Sequence, residues 1–469
     1  MLRSLTQMAI ALAAGIGLTP SPAAGQPAIK VPEGYTVELA AGPPLVAHPI
    51  MAGLDDRGRL FVAENAGVNL QRPLLEEQLP NSILRLEDSD GDGKFDKRTV
   101  FADKLTFPQG ALWHEGWLYS AVSGAIWRFQ DQDDDGVAET REKIVSSFGY
   151  TGNAADVHGC FLGPEGRIYW CEGRHGHDIV DKNGKSISKG KAARIFSCRP
   201  DGSDVRTHCG GGMDNPVEID WTAEGEMLGT VNIMYGKRGD CLVHWMHGGV
   251  YPRADQPEVL AEFRRTGELL DAVHDYGHVA VSGCCRIRGA GIPPAQNSAA
   301  TFLVTEFNTH KVLRTDLFRN GATFRAETSE YLQAASDDFH PTDVLEDADG
   351  SILVVDTGGW FRIGCPTSQV AKPDVLGAIW RVRRTGARID DPRGLRLYNS
   401  NEFDPGRLIA HLGDERPAVR ERALADLARQ GNAALVFLNR ALVDKSAAVR
   451  QNSIWTLARI GTPEATGAV

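Results

Sequence analysis

A turn-and-strand phrase recurs six times along the chain: DDRGRLFVAEN at 55–65, HEGWLYSAV at 114–122, GPEGRIYWCEG at 163–173, TAEGEMLGTVN at 222–232, AATFLVTEFN at 299–308 and DADGSILVVDTGG at 347–359. In five of them a Gly closes a tight turn and apolar or β-branched residues follow, the pattern of a hairpin turn leading into a buried strand. Aligned on Leu60, Leu118, Ile168, Met227, Phe302 and Ile352, the copies fall 58, 50, 59, 75 and 50 residues apart. Repeats of this length in all-β sequence indicate propeller blades, each a small sheet that buries its faces only against its neighbours.

A second phrase supplies another strand of most blades: SILRLED at 82–88, GAIWRFQD at 124–131, ARIFSCRPDG at 193–202, HKVLRTD at 310–316 and GAIWRVRR at 377–384, with CLVHWM at 241–246 as the weaker copy in the fourth blade. Six blades over residues 31–384 give about 59 residues each, enough for four short strands and their loops. The alternating segment EGYTVELA, 33–40, is placed to complete the last blade and close the ring without exposed edges. The expected fold is an all-β six-bladed β-propeller followed by a short all-α segment.

Residues 1–25 read as a signal peptide, with Arg3 at the charged start, an apolar run to about Leu18, and small Ala23, Ala24 and Gly25 near the cleavage point. The competing reading is an N-terminal membrane anchor, against which the run is short and contains Thr6 and Gln7. The expected location is secreted or periplasmic, and no later segment reaches the ~18 apolar residues that span a bilayer. The formal net charge of -11, or -12 once Arg3 leaves, argues against nucleic acid or an anionic membrane as partner.

Eight cysteines suit an oxidising compartment. Cys198 and Cys209 flank RPDGSD closely, so a hairpin turning there is expected to set them opposite each other in a disulfide. Cys160 and Cys171 flank LGPEGR less symmetrically, and Cys241, Cys284, Cys285 and Cys365 have no assignable partners. No CxxCH occurs, so no covalent haem is expected.

Two acidic loops point to calcium. DSDGDGKFD at 88–96 offers Asp88, Asp90, Asp92 and Asp96; DQDDDGVAE at 131–139 offers Asp131, Asp133, Asp135 and Glu139. Both put carboxylates at positions 1, 3, 5 and 9 with Gly at 6, the spacing that wraps oxygens around a hard cation. Glu142 falls at position 12 of the second loop, where the first has Thr99. Each loop follows a strand, so the expectation is a structural calcium hairpin, the alternative being a solvated acidic turn.

Blade geometry also locates a candidate active face. If each innermost strand runs into the Gly turn and the next runs back, strand starts and ends share the opposite face, near the channel. There stand His48, Asp156, His158, Asp214, Asn215, His340 and Asp343 at starts, and Glu64, Asn65, Glu172, Asn232, Glu306, Asn308, His310 and Asp356 at ends. Singly, each is more simply a loop residue capping a turn. Together, histidines and carboxylates in a concave site can host general-base chemistry or a metal.

The strings DFHPTDVLEDADGSILVVDTGGW, GGGMDNPVEIDW and CPTSQVAKPDVLGAIWRVRR resemble the large planctomycete-type group of membrane-bound dehydrogenases, whose propeller precedes helical repeats and often a haem-binding CxxCH domain. The resemblance covers about residues 30–385. More distantly the propeller is similar to quinoprotein glucose/sorbosone dehydrogenases, in which HG-x-x-LGP-x-G-x-I-Y carries the His that takes the substrate hydroxyl proton. It maps onto His158, and the Asn-Pro of the next blade onto Asn215 and Pro216. That resemblance implies pyrroloquinoline quinone (PQQ) as a cofactor beside Asn215; the polar face adds Asp156 next to the catalytic His158, and Asp214, His340, Asp343, Glu306, Asn308 and His310 as candidates around the cofactor, with calcium expected in the acidic loops. The quinoprotein pattern has Arg before Asn-Pro where this chain has Asp214; an Arg there would neutralise a quinone oxyanion.

After a linker at 385–404, residues 405–469 change character. AVRERALADLARQG at 418–431 and AVRQNSIWTLARIG at 448–461 match with a period of 30 and place apolar residues at helical spacing. They resemble short HEAT repeats, with Asp414 and Asp444 before each second helix and Arg420 and Arg450 inside it. Two such units are too few for independent stability, so they either dock on the propeller or belong to a longer array. Three functions remain open: a quinone-dependent sugar or polyol dehydrogenase with His158 as base and an electron-accepting protein partner; a calcium-dependent lactonase or similar hydrolase using Glu64, Asn215, Asn232 and Asp356; or a binding module in which the propeller and HEAT faces hold a protein.

Overall fold

The computed structural model describes residues 27–180, 184–211, 215–232, 239–251, 257–361, 371–397 and 404–469. Asp214 and Cys365 fall outside them, as does the leader. Six antiparallel sheets form a six-bladed β-propeller. The innermost strands are Pro49–Leu54, Leu112–His114, His158–Leu162, Asn215–Trp221, Val281–Arg286 and Pro341–Glu346, and they pack side by side around the channel in that cyclic order. Five turn at the repeat-phrase Gly into a second strand, the fifth blade through a longer loop at 287–299, and a third strand follows in each: Asn81–Glu87, Ala125–Gln130, Arg194–Cys198, Asp240–His244, Lys311–Asn320 and Ala378–Arg384. The weak fourth-blade phrase is therefore a true copy.

Tyr35–Ala41 pairs antiparallel with Ala378–Arg384, Tyr35 opposite Arg384, so the N-terminal strand completes the last blade as its outermost strand and closes the ring. Ile29–Lys30 adds a short outer strand to the fifth blade. Apolar side chains of facing sheets interdigitate between neighbouring blades: Leu60, Leu84, Leu353 and Ile379 join the last to the first, and Tyr169, Ile195, Trp221 and Val243 the third to the fourth. Polar cross-links follow the same seams. Arg381 Nε donates to Gly93 O at 2.9 Å, and Arg128 Nη1 to Pro200 O at 3.1 Å.

The expected Cys198–Cys209 disulfide is not formed; both are buried thiols. The hairpin register sets Cys209 opposite Ile195, with a bulge before Phe196. Cys198 packs into the layer between the second and third blades and Cys209 into the layer between the third and fourth, on opposite faces of one sheet. Cys160 and Cys171 are likewise thiols separated into those two layers.

Helices Pro405–His411, Pro417–Arg429, Leu435–Ala441 and Ala447–Ile460 form two hairpins around Leu408, Leu412, Leu427, Leu438 and Leu457. Arg420 Nη1 donates to Asp414 O and Glu415 O at 2.7 and 3.0 Å, and Arg450 Nη1 to Asp444 O and Lys445 O at 2.6 and 3.1 Å. The 30-residue repeat thus encodes one device twice, an arginine tying down the loop before its own helix. The hairpins dock on the propeller through the repeat-phrase turns: Arg422 Nη2 reaches Asp56 O at 2.9 Å, Arg459 Nε reaches Pro164 O at 3.0 Å, and Trp455 Nε1 reaches Ala223 O at 3.4 Å. Among the described residues no helix is long and apolar enough to cross a membrane.

Candidate functional site

His158 opens the third inner strand, opposite Cys171. Its Nε2 faces two acceptors, Ala154 O at 2.5 Å and Asn215 Oδ1 at 3.1 Å. A carbonyl oxygen only accepts, so Nε2 carries the proton and Nδ1 keeps a lone pair; Nδ1 is buried with no partner. Burial lowers the pKa of His158 to about 4, against the opposing pull of those two hydrogen bonds, so the ring is neutral at pH 7.

Asp156 does not orient this ring. It anchors the preceding loop, accepting from Ser123 Oγ at 2.9 Å and from the backbone N–H groups of Thr151, Gly152 and Asn153 at 2.9, 2.8 and 3.1 Å. Its nearest imidazole is His175, 3.7 Å away. Burial raises its pKa to about 6. A backbone carbonyl, Ala154 O, fixes the tautomer instead.

The other expected site residues separate into three groups. Asn215 joins His158. Glu306, Asn308, His310 and His340 form the seam of the fifth and sixth blades. His310 Nδ1 donates to Phe339 O at 2.6 Å and His340 Nδ1 to Gly358 O at 2.9 Å, the two rings 5.4 Å apart, while Glu306 accepts from the Thr309 hydroxyl and Asn308 N donates to Val279 O at 3.0 Å. Asp343 is not at the mouth at all. It faces the channel beside Glu218, its oxygens accepting from Ala52 N and Val344 N at 2.7 and 2.6 Å.

Further acceptors complete the mouth. Glu64 Oε1 accepts from Ala47 N at 2.9 Å, and Glu172 Oε1 meets His177 Nδ1 at 2.7 Å. The second oxygen of each, with Asn232 Oδ1, is buried without a donor. Burial raises the carboxyl pKa of both Glu64 and Glu172. Beside these lies an apolar cluster of Ile50, Met51, Leu75, Phe107, Trp360 and Phe361, with the Trp360 indole donating to Thr357 Oγ1 at 2.7 Å.

The acidic loops close as expected, with two exceptions, Asp96 and Glu142. Carboxylate oxygens of Asp131, Asp133, Asp135 and Glu139 lie within 4.8 Å of one another, and those of Asp88, Asp90 and Asp92 do the same. Asp96 instead accepts from Ser89 Oγ at 2.6 Å. Glu142 is no ligand: it sits in a strand opposite Arg128 and accepts from its Nε at 2.7 Å. Position 12 returns to an ion only when a helix follows the loop, and here a strand carries it away. Among the described residues, His, Cys, Asp and Glu side chains gather in metal-binding numbers only in these two loops, so Glu64 and Asp356 make no such cluster in the channel.

Apart from Asp343, sequence reasoning missed the residues of the lower channel, where a cavity of about 650 Å³ lies between the inner strands and the helices. Glu218 there accepts from Cys284 N at 2.7 Å, and burial, reinforced by the neighbouring Asp343 carboxylate, holds its pKa well above the usual range. Asp343 itself is raised to about 6 by burial. The legible signal was alternation: in NPVEIDW, Glu218 and Asp220 are two apart in an otherwise apolar strand, hence on one face.

The fold is a six-bladed propeller with a docked HEAT segment. The chain belongs to the family described as a domain of unknown function, DUF7133, which matches residues 21–363, and residues 406–468 match HEAT repeats. No curated protein sequence matches the chain. Among solved structures, it is similar to an oxidoreductase of Thermus thermophilus described as a glucose dehydrogenase (14% identity, TM-score 0.51, covering 74% of this chain and 100% of that one). It is similar also to the PQQ domain of Coprinopsis cinerea pyranose dehydrogenase (14% identity, TM-score 0.51, 78% and 98% covered) and to a Trichoderma reesei carbohydrate-active enzyme of family AA12 (14% identity, TM-score 0.50, 78% and 100% covered). At such identity the likeness shows the fold.

Proposed function

We propose that the mouth of the propeller binds a sugar or polyol and that His158 accepts the proton of a substrate hydroxyl through Nδ1. The observation that carries this reading is the character of the buried orphan atoms: His158 Nδ1, Glu64 Oε2, Glu172 Oε2 and Asn232 Oδ1 are all acceptors. Hydroxyl groups are the donors that would satisfy them, and a buried acceptor left unpaired costs about 1–3 kcal/mol. A neutral imidazole with a fixed tautomer is suited to that proton transfer.

The described part of the mouth does not fit PQQ. That quinone brings three carboxylates, and Glu64, Glu172, Glu306 and Asp356 would face them with like charge or with acceptor lone pairs. No hydride step is therefore assigned to this chain's residues, and the two-electron acceptor of the oxidation is placed on a partner protein. A second reading has its own support: buried Glu64 Oε2 and Asn232 Oδ1 would also accept a cation, which suits lactone hydrolysis with His158 deprotonating water. The acidic outer loops fit calcium in a structural role, since Asp131 Oδ1 is buried, donorless and inside the carboxylate cluster.

The deciding experiment assays aldoses, polyols and sugar lactones, with a soluble quinone as acceptor, in the presence and absence of PQQ and calcium. Quinone reduction by a sugar or polyol without added PQQ supports the first reading, and lactone opening that needs metal supports the second. Reaction with none of them contradicts both.

A further inference from the structure

The wall of the lower cavity leaves one guanidinium without a hydrogen-bond partner. Asp220 is engaged by Arg288 Nη1 at 2.9 Å and by Arg286 N at 2.7 Å, and Glu346 by Arg288 N and Gly289 N at 2.7 and 2.9 Å. Glu421 is held by Arg459 at 2.6 Å, and Asp347 by Arg381 at 2.7 Å and by Arg393. Arg420 is spent on the carbonyls of Asp414 and Glu415 and on Arg288 O at 3.4 Å. The guanidinium of Arg286 has nothing: among the described residues it makes no side-chain hydrogen bond or ion pair, and its Nε is buried without an acceptor. Burial and the adjacent Arg288 lower its pKa to about 10, against the opposing charge of Asp220. A buried guanidinium nitrogen with no acceptor is costly, and a ligand oxygen would supply the missing partner.

We propose that this cavity is a binding site for a small organic carboxylate, received by Arg286 with Arg288 beside it on the propeller and Arg420 on helix Pro417–Arg429. A carboxylate matches the planar fork of a guanidinium with two parallel hydrogen bonds. The organic part is called for by the walls, since Met51, Leu54, Trp113, Leu345 and Leu424 line the same space. Its volume of about 650 Å³ lies within the range of small-molecule sites. Arg288 and Glu421 keep 35 % and 48 % side-chain exposure, so solvent reaches the wall. Because the wall is shared by the propeller and the helices, occupancy holds the two together. The site is separate from the mouth, and its test does not depend on the proposed activity.

The test titrates the full chain with sodium benzoate, using benzyl alcohol as the neutral counterpart and sodium chloride and sodium phosphate as ionic controls, by calorimetry and thermal shift. One benzoate is expected to bind and raise Tm, with no saturable shift from the alcohol, chloride or phosphate. Arg286→Met is expected to weaken benzoate at least tenfold while the unliganded variant melts no lower than wild type, because the guanidinium it removes is unbonded. Equal affinity in Arg286→Met, or an equal response to benzyl alcohol, overturns the site; binding of phosphate alone overturns the organic carboxylate. Should the variant not fold, a wild-type crystal soaked in benzoate decides: carboxylate density at Arg286 supports the site, and an empty cavity at saturating benzoate overturns it.

Discussion

Arg85, on the third strand of the first blade, donates from Nη1 to Asp131 Oδ2 at 2.8 Å, and both side chains are buried, at 3% and 4% exposure. The acidic loop of the second blade is thereby bolted to the first at its opening ligand. Gly136, with φ +101, lets the loop backbone close over that arginine; a Cβ there would come within 2.6 Å of Arg85 Nη2. Arg381 does the same for the first loop through Gly93 O.

Calcium bound in these loops would reinforce a blade seam. Calcium is expected to raise the Tm of the wild type, and the double variant Asp133→Asn, Asp135→Asn to lose the part contributed by the second loop. At a hundredfold excess over Kd one site contributes about 2.7 kcal/mol. A wild-type melting curve unmoved by calcium shows the loops to be solvated turns.

Thiol mapping tests the blade register. Peptide mass spectrometry without reduction is expected to recover Cys198 and Cys209 unlinked, because Cys209 faces Ile195 and the two sulfurs point into different interblade layers. Burial pushes the Cys198 thiol up to about 12 and Cys209 further, so neither reacts with alkylating reagents in the native state. A Cys198–Cys209 cross-link contradicts the register.

Docking of the helices has its own probe. The Trp455 indole lies where a Cβ on Gly225 would approach to 2.6 Å, and Gly225 has φ +89. Gly225→Val is expected to release the helical segment and make helix Ala447–Ile460 sensitive to protease. Trp455→Ala is expected to destabilise by about 1–3 kcal/mol. Unchanged proteolysis in Gly225→Val counts against the docked arrangement.

His158 also leaves a signature in the pH dependence of stability. Its folded pKa of about 4 lies below the ordinary 6.5. Between those values the unfolded chain binds the proton and the folded chain does not, so this group's contribution falls as pH drops from 6.5 toward 4, by up to about 1.4 kcal/mol per pH unit. Asp156 and Asp356, each raised to about 6, act in the opposite direction over the same interval. The His158 part is isolated by subtraction: His158→Gln should lose less stability than wild type on acidification through that window. Parallel curves place the imidazole in a solvated setting.

The blades were legible in the sequence because each repeats one turn chemistry and one apolar alternation, and the closing strand because Tyr35–Ala41 carries the same alternation. His158 was legible through its strand-start position and its motif. The lower channel was not, because Glu218, Arg286 and Asp343 converge from three blades and only ring closure brings them to one wall. The disulfide failed for a local reason: the hairpin pairs Ile195 with Cys209 and Ser197 with Arg206, so Cys198 lies three residues along the strand from the position opposite Cys209 and on the other face of the sheet. Glu142 failed because the EF-hand string presumes a following helix.

The most direct test of His158 as the mouth's base is steady-state turnover of the best sugar or polyol by wild type and His158→Gln, with Tm recorded for both. The expected result is a kcat lower by about 10²–10⁴-fold in the variant at closely similar Tm, the range for loss of a general base. Wild-type turnover in His158→Gln contradicts the account.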